Sequence, residues 1–249
     1  MSSSMDEDAV DVTETPDETI QWRRDATTSR TVRLLWMVGV GTFFAAIGIV
    51  IWWRLYRVAG EAAGGAGRTI ITALVVAFAA TVLALAASSQ TERHLERLVR
   101  RLPVDAPSGA SLRRAMDAAV GTVVMAAVIG GLMGIGRYVS QTGLLAGAGP
   151  FTGLAALCLP LALVALVLAS FLQSVGALDR EEGTIYLYEP EQAIDLAVID
   201  AVSVREIGDA AVLGLTYAQP DGQYVQGPRR IVVPPAVARD VAAIVESRD

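Results

Sequence analysis

Few side chains in this 249-residue sequence are of a type that does chemistry, and their number and spacing narrow what they could do. His94 is the only histidine and Cys158 the only cysteine, so one chain cannot assemble a histidine-based metal site, a cysteine-based zinc site or an internal disulfide. Cys158 stands inside an apolar run, where it reads as a small buried residue. No glycine-rich loop of the kind that cradles phosphates is present. Asp117 and Arg137 bracket an uncharged stretch and read as anchors that reach toward a polar boundary rather than as a functional pair. Arg229 and Arg230 are the adjacent basic pair of the carboxyl-terminal region. They are the candidates for contact with a phosphate or another anionic group, against the plainer reading of a charged strand start after Gly227 and Pro228. Gly130 and Gly134 form a GxxxG pair suited to close helix packing, within one chain or between copies. No nucleophile and base stand in a recognisable arrangement. The sequence therefore leads to no catalytic, cofactor-binding or metal-binding residue, and the expectation is a protein that is not an enzyme.

The elements that would position these residues are dominated by four stretches without charge: 34–53, 69–91, 118–136 and the second half of 138–178. About 20 apolar residues at 1.5 Å per residue match a hydrocarbon layer roughly 30 Å thick. The expected fold is a membrane bundle of four α-helices, over about 34–53, 69–88, 116–139 and 151–175, followed by a small α+β domain over 179–249. Trp36 near one end of the first stretch, and Trp52, Trp53 and Tyr56 at the other, have the placement of an interfacial aromatic belt. The connection Arg54–Arg68, with Gly60, Gly64, Gly65 and Gly67, reads as a flexible loop. The second stretch continues into a mixed-charge run, Glu92 to Arg101, with apolar Leu95, Leu98, Val99 and Leu102, which reads as a surface-lying or solvated helix end before Pro103 and Pro107. Pro160 predicts a kink in the fourth helix. Apart from its charged flanks each span is free of ionisable groups, and these are what transport coupling or intramembrane catalysis normally requires.

Charge divides the chain in three. Residues 1–18 hold seven acids and no base, 19–178 fourteen Arg against six acids, and 179–249 six Arg against thirteen acids. Hydrophobic residues are 53% of the whole and mean hydropathy is +0.47, which calls for both an apolar and an aqueous environment. The first 20 residues carry too little apolar surface to offset the entropy of ordering and read as a disordered acidic tail. Trp22, Arg23, Arg24, Arg30 and Arg33 follow as a basic segment, to about residue 32, before the first span, which is expected to stay as a signal anchor. All twenty basic residues are Arg, with no lysine. A GC-rich genome or a high-salt habitat could each produce this, and the acidic ends point to a halophilic archaeon, where surface carboxylate is a solvation device.

Arginine sits mostly before the first stretch, with four, and between the second and third, with six beside His94; the other two connections carry three and one. The positive-inside rule then puts both termini of a four-span protein in the cytoplasm of a cell-membrane protein.

From Asp179 onward, Thr184–Tyr188, Ala201–Glu206, Ala210–Tyr217 and Arg230–Val233 read as strands, the Gln219–Gly222 stretch as a turn, and the residues after Pro234 and Pro235 as a helix with Val237, Val241, Ile244 and Val245 on one face. In this order of elements, and in the stretches Val202-Ser203-Val204-Arg205 and Arg229-Arg230-Ile231-Val232-Val233-Pro234, residues 183–247 resemble the later part of a prokaryotic PH-like domain, although the chain looks short for the usual seven strands. The resemblance implies a module that binds protein or lipid. The domain's net charge of −7 argues against nucleic acid, whose binding rests on phosphate neutralisation. The expected function is a multi-pass membrane protein that anchors a cytoplasmic interaction domain, as an accessory or regulatory subunit. It would have the lipid bilayer and a protein as partners, and it could form a homo-oligomer. The alternative is a small permease or channel component for an uncharged solute, using Pro160, the glycines of the third helix and hydroxyls such as Thr72, Thr81, Thr122 and Ser170.

Overall fold

The structure, a computed structural model, describes residues 12–14, 19–88, 109–142, 149–218 and 227–247. His94, the Glu92–Leu102 run and the Gln219–Gly222 turn lie outside them. Three described helices are long and apolar enough to cross a membrane: α1 (Arg30–Ala87), α2 (Gly109–Thr142) and α3 (Gly149–Phe171). The chain divides into two compact units, one of residues 35–167 and one built from the described residues of 1–34 and 168–249.

In the helical unit, α1 contains the first two apolar stretches. Helical geometry breaks at Ala63 (φ −136°, ψ 17°) and Gly64 (φ 59°, ψ −136°), the second a conformation open in practice to glycine alone. Residues on either side of the break then meet. The Arg68 guanidinium lies 5.6 Å from the Tyr56 ring centroid, and a Cβ on Gly67 would overlap the Ala59 carbonyl. In one straight helix residues 56 and 68 would stand about 18 Å apart, so the chain doubles back and α1 is a helical hairpin with arms 30–62 and 65–87. The expected flexible loop Arg54–Arg68 is thus helical except at two residues. Alanines at 59, 62 and 66 favour the helix, and Arg57 and Glu61 form an i,i+4 ion pair at 3.6 Å.

The first arm of α1, α2 and α3 pack around Ala45, Ile129 and Ala155, with Ile49, Met125, Leu132 and Cys158 alongside. The backbones come closest where Gly41 faces Gly121: a Cβ on either would overlap main-chain atoms of the other helix. Met37 and Gly41 meet Gly121 while Ala45 clusters with Ile129, so the first arm and α2 run in the same direction. Gly39 meets Ala162 and Leu166 while Ala45 clusters with Ala155, so α3 runs the opposite way. The second arm, 65–87, is exposed along most of its length, and the expected closed bundle of four is not formed among the described residues. α3 continues unbroken through Pro160.

The second unit holds two antiparallel sheets and a helix. One sheet has the order β1 (Val12–Glu14), β2 (Thr19–Arg24), β3 (Ser174–Asp179), β4 (Thr184–Tyr188), β5 (Glu191–Asp195). The other is β6 (Ile199–Ile207), β7 (Ala210–Tyr217), β8 (Arg230–Val233), and α4 (Pro235–Glu246) follows. Alternation sends Ile20 and Trp22 of β2, Ile185 and Leu187 of β4, and Ala211, Leu213 and Leu215 of β7 into one core shared by both sheets. α4 closes it with Val237, Val241 and Val245 at i, i+4 and i+8, and with Ala238.

Two sequence expectations are corrected here. Residues 19–24, assigned to an acidic tail and a basic segment before the membrane, form a strand whose Ile20, Trp22 and Arg24 point inward. Residues 174 and 175, assigned to the end of the fourth membrane helix, begin β3, and that helix ends at Phe171. A strand buried on both faces reads as an uninterrupted apolar run, which periodicity cannot tell from the end of a helix. β2 and β3 pair over six residues, from Thr19 opposite Asp179 to Arg24 opposite Ser174, so the chain leaves this sheet at β2 and returns to the neighbouring position after α3.

Candidate functional site

The polar residues that the fold gathers most tightly lie where β2 gives way to α1. Arg24 is fully buried. It is the last residue of β2, and the inward alternation that buries Ile20 and Trp22 buries it too. Burying a guanidinium is tolerable only with good partners, and these come from sequence positions far apart. Its Nη2 donates to Asp209 Oδ1 at 3.0 Å and to Ser29 Oγ at 3.1 Å, and its Nη1 donates to the Asp209 carbonyl. Arg24 Nε has no hydrogen-bond partner among the described residues.

Asp209 is placed by a two-residue hairpin. Ile207 pairs with Ala210, and Gly208 between them takes φ 62°, which suits such a turn. Ser29 is placed by the segment 25–29, where Asp25 Oδ1 accepts from Thr27 N at 2.7 Å and the Asp25 carbonyl accepts from Ser29 N at 2.9 Å. Ser29 then caps α1: its Oγ accepts from Val32 N at 3.2 Å and donates to Asp209 Oδ2 at 2.8 Å. With the bond from Arg24, the hydroxyl's one proton and two lone pairs are all used. Beside this cluster the buried Trp22 donates from Nε1 to Ser174 Oγ at 3.3 Å, across the β2–β3 pair.

Burial alone would raise the Asp209 carboxyl; hydrogen bonds from Thr31, Ser29 and Arg24 and the Arg24 charge outweigh it and hold the group below its ordinary 3.8. Asp25 is likewise held down, the hydrogen bonds from Thr27 and Thr28 and the charge of Arg23 outweighing its burial. The Ser29 hydroxyl donates to the Asp209 carboxylate, and its lone pairs are taken by Val32 N and Arg24 Nη2. The chemistry of the cluster is cohesive: one carboxylate joins the β6–β7 turn, the end of β2 and the cap of α1.

The residues singled out from sequence fall elsewhere. Arg229 and Arg230 are both exposed at the start of β8, where Arg230 pairs with Gly214. They stand at the end of the strands away from Asp209, by five residues of β7, or roughly 17 Å. Gly130 and Gly134 are exposed on α2, and a Cβ on either would meet nothing within 4 Å; the tight crossing is made by Gly41 and Gly121 instead. The hydroxyls of Thr72, Thr81 and Thr122 each bond the carbonyl four residues back, at 3.0, 2.8 and 2.7 Å, and Thr72, Thr81 and Ser170 face outward. Among the described residues no group of three or more His, Cys, Asp or Glu could hold a metal ion. Sequence reading missed the Arg24, Ser29 and Asp209 cluster. Its one local signal is the alternation of Ile20, Trp22 and Arg24, which marks Arg24 as inward-facing. Compared with protein-family models, with curated proteins and with solved structures, the chain matches none.

Proposed function

We propose that this chain is a multi-pass cell-membrane protein of a halophilic archaeon whose helices hold a cytoplasmic, PH-like interaction domain, and that it serves as an accessory or regulatory subunit rather than an enzyme. The observation that carries the reading is the β2–β3 pairing. A polar α+β unit with a core of its own is threaded by an apolar helical segment that leaves after β2 and returns at β3. In this reading the two arms of α1, then α2 and α3, make four crossings. The outward faces of these helices support it: Phe43, Phe44, Val50, Val76, Phe78, Leu163 and Val167 are each more than half exposed, as lipid-facing side chains are.

Strand pairing also bears on sidedness. Arg24 lies opposite Ser174, α1 begins at Arg30 and α3 ends at Phe171. This pairing supports a reading in which both helix ends emerge on one face of the membrane after an even number of crossings, with two cytoplasmic termini by the positive-inside rule. The PH-like reading gains as well. With β2 counted, β2–β8 supply the seven strands for which residues 183–247 alone are too short, and α4 is the closing helix. The permease alternative calls for a polar path lined in part by hydroxyls; the exposure of Thr72, Thr81 and Ser170, with the threonines bonded to their own helices, favours the anchored module over it.

The test is purification of the tagged protein from its own membranes in mild detergent at high salt, beside a variant lacking 19–24 and 174–249. A stoichiometric protein that leaves with the deleted strands supports the anchored module. Recovery of no partner from either sample, together with solute flux through reconstituted vesicles, would overturn it.

A further inference from the structure

Of the large exposed apolar side chains on the strands of the sheet unit, Tyr186 and Val204 lie within β4 and β6, and Tyr188 and Ile207 lie at one end of the strands. Tyr188 is 52% exposed at the end of β4, and Ile207 is 43% exposed at the end of β6. Leu34, Leu168 and Phe171 are exposed on the helix ends themselves. The register shows that these positions share one rim. Leu187, just before Tyr188, pairs with Gly176, close after the end of α3. Gly208, just after Ile207, abuts Thr31 in the first turn of α1. Arg23, whose side chain is 66% exposed, precedes Arg24 at the same end of β2. At the opposite end of the strands stand the acidic turn Asp179, Glu181 and Glu182 and the pair Arg229 and Arg230.

The geometry points to a membrane-surface contact: the rim carrying Arg23, Tyr188 and Ile207 lies in the lipid headgroup layer on the side where α1 begins and α3 ends. Tyrosine suits that layer because its ring is apolar and its hydroxyl wet, and arginine reaches phosphate from a short distance above the acyl chains. Glu189, Glu191 and Glu206 share the rim, so its charge is mixed. Recognition is then by aromatic insertion and hydrogen bonding rather than by a basic field. Only Leu172 and Gln173 separate the end of α3 from the start of β3, so the linker adds little reach between the helix end and the rim.

This rests on the membrane-spanning reading, and the experiment separates the two. In the full-length protein with Cys158→Ala, single cysteines are placed at Tyr188, Ile207, Thr184, Arg230 and Val128. Each is spin-labelled, and in proteoliposomes its collisions with a water-soluble nickel complex are compared with its collisions with oxygen. Labels at 188 and 207 should show severalfold lower nickel accessibility than those at 184 and 230, and the label at 128, in the middle of α2, should show the lowest. A label at 128 as open to nickel as the one at 230 would sink the spanning reading. A deep 128 with 188 and 207 as accessible as 184 and 230 would overturn the membrane-surface contact alone.

Discussion

At Arg24 a full positive charge is enclosed by protein and answered by a carboxylate 185 positions away in sequence. Removing one partner of such a pair leaves an uncompensated buried charge, which costs about 3 kcal/mol or more. Asp209→Ala should therefore destabilise the sheet unit by about that amount in denaturant unfolding followed by strand circular dichroism. The double variant Arg24→Met, Asp209→Ala should recover much of the loss, because the apolar chain needs no counter-charge. Additive losses in the double variant would mean that the two residues do not act as a pair. The same cluster sets a pH dependence. Asp209 is held below 3.8 in the folded protein, so its contribution is complete above that value and disappears as pH falls through the lowered folded value. Acid unfolding should accordingly start at higher pH in Asp209→Asn than in wild type, because the neutral amide lacks this contribution at every pH; coincident acid transitions would refute this. Little of the cluster was legible beforehand. Arg24 looked like one member of a basic run before a membrane span, Asp209 like one of thirteen acids in an acidic domain, and only tertiary contact pairs them.

Among the elements, the helices pack by glycine, but not at the glycines that their spacing brings forward. Gly41 and Gly121 meet backbone to backbone, whereas Gly130 and Gly134 face open space. A side chain introduced at the first pair must push two helices apart, at about 1–3 kcal/mol. Gly41→Val and Gly121→Val should each lower the unfolding midpoint in detergent, while Gly130→Ala and Gly134→Ala should not lower it, since alanine favours the helix and meets open space there. Equal losses at both pairs would show that the second is covered in the membrane, by another copy or by lipid-ordered packing. The GxxxG spacing was visible in sequence because it is local. Which glycines touch depends on how α1 and α2 cross, and no spacing within one helix carries that. Strands followed the same division. β4, β7 and β8 agree with the sequence expectation to the residue, since alternation and β-branching mark them. β5 escaped because its short polar run, Glu191–Asp195, buries only one side chain, β2 because the alternation that buries Ile20, Trp22 and Arg24 lies between an acidic stretch and a basic run, and β3 because its apolar residues continue those of α3.

For the whole molecule, the consequence of the β2–β3 pairing is that the sheet unit is not contiguous. A fragment of residues 174–249 lacks Ile20, Trp22 and one of the two strands that pair with β3, and should show no cooperative thermal transition. Joining residues 19–24 to 174–249 through an Asn-Gly turn, which suits two antiparallel neighbours, should restore a folded soluble protein in high salt. Cooperative melting of 174–249 by itself would mean that β2 is dispensable. In synthesis, the unit can close only after the helices between its first and later strands have emerged. What the sequence by itself determined is the apolar content of the helical stretches, the polar character of the chain after Asp179 and the absence of a recognisable catalytic arrangement, because length, charge and residue type are local quantities. The reversal of α1 near Gly64 was legible as a glycine-rich connection, though not its helical form; the pairing of β2 with β3 and the burial of Arg24 against Asp209 were decided by the tertiary structure alone, because each depends on two segments meeting whose separation along the chain leaves no local trace.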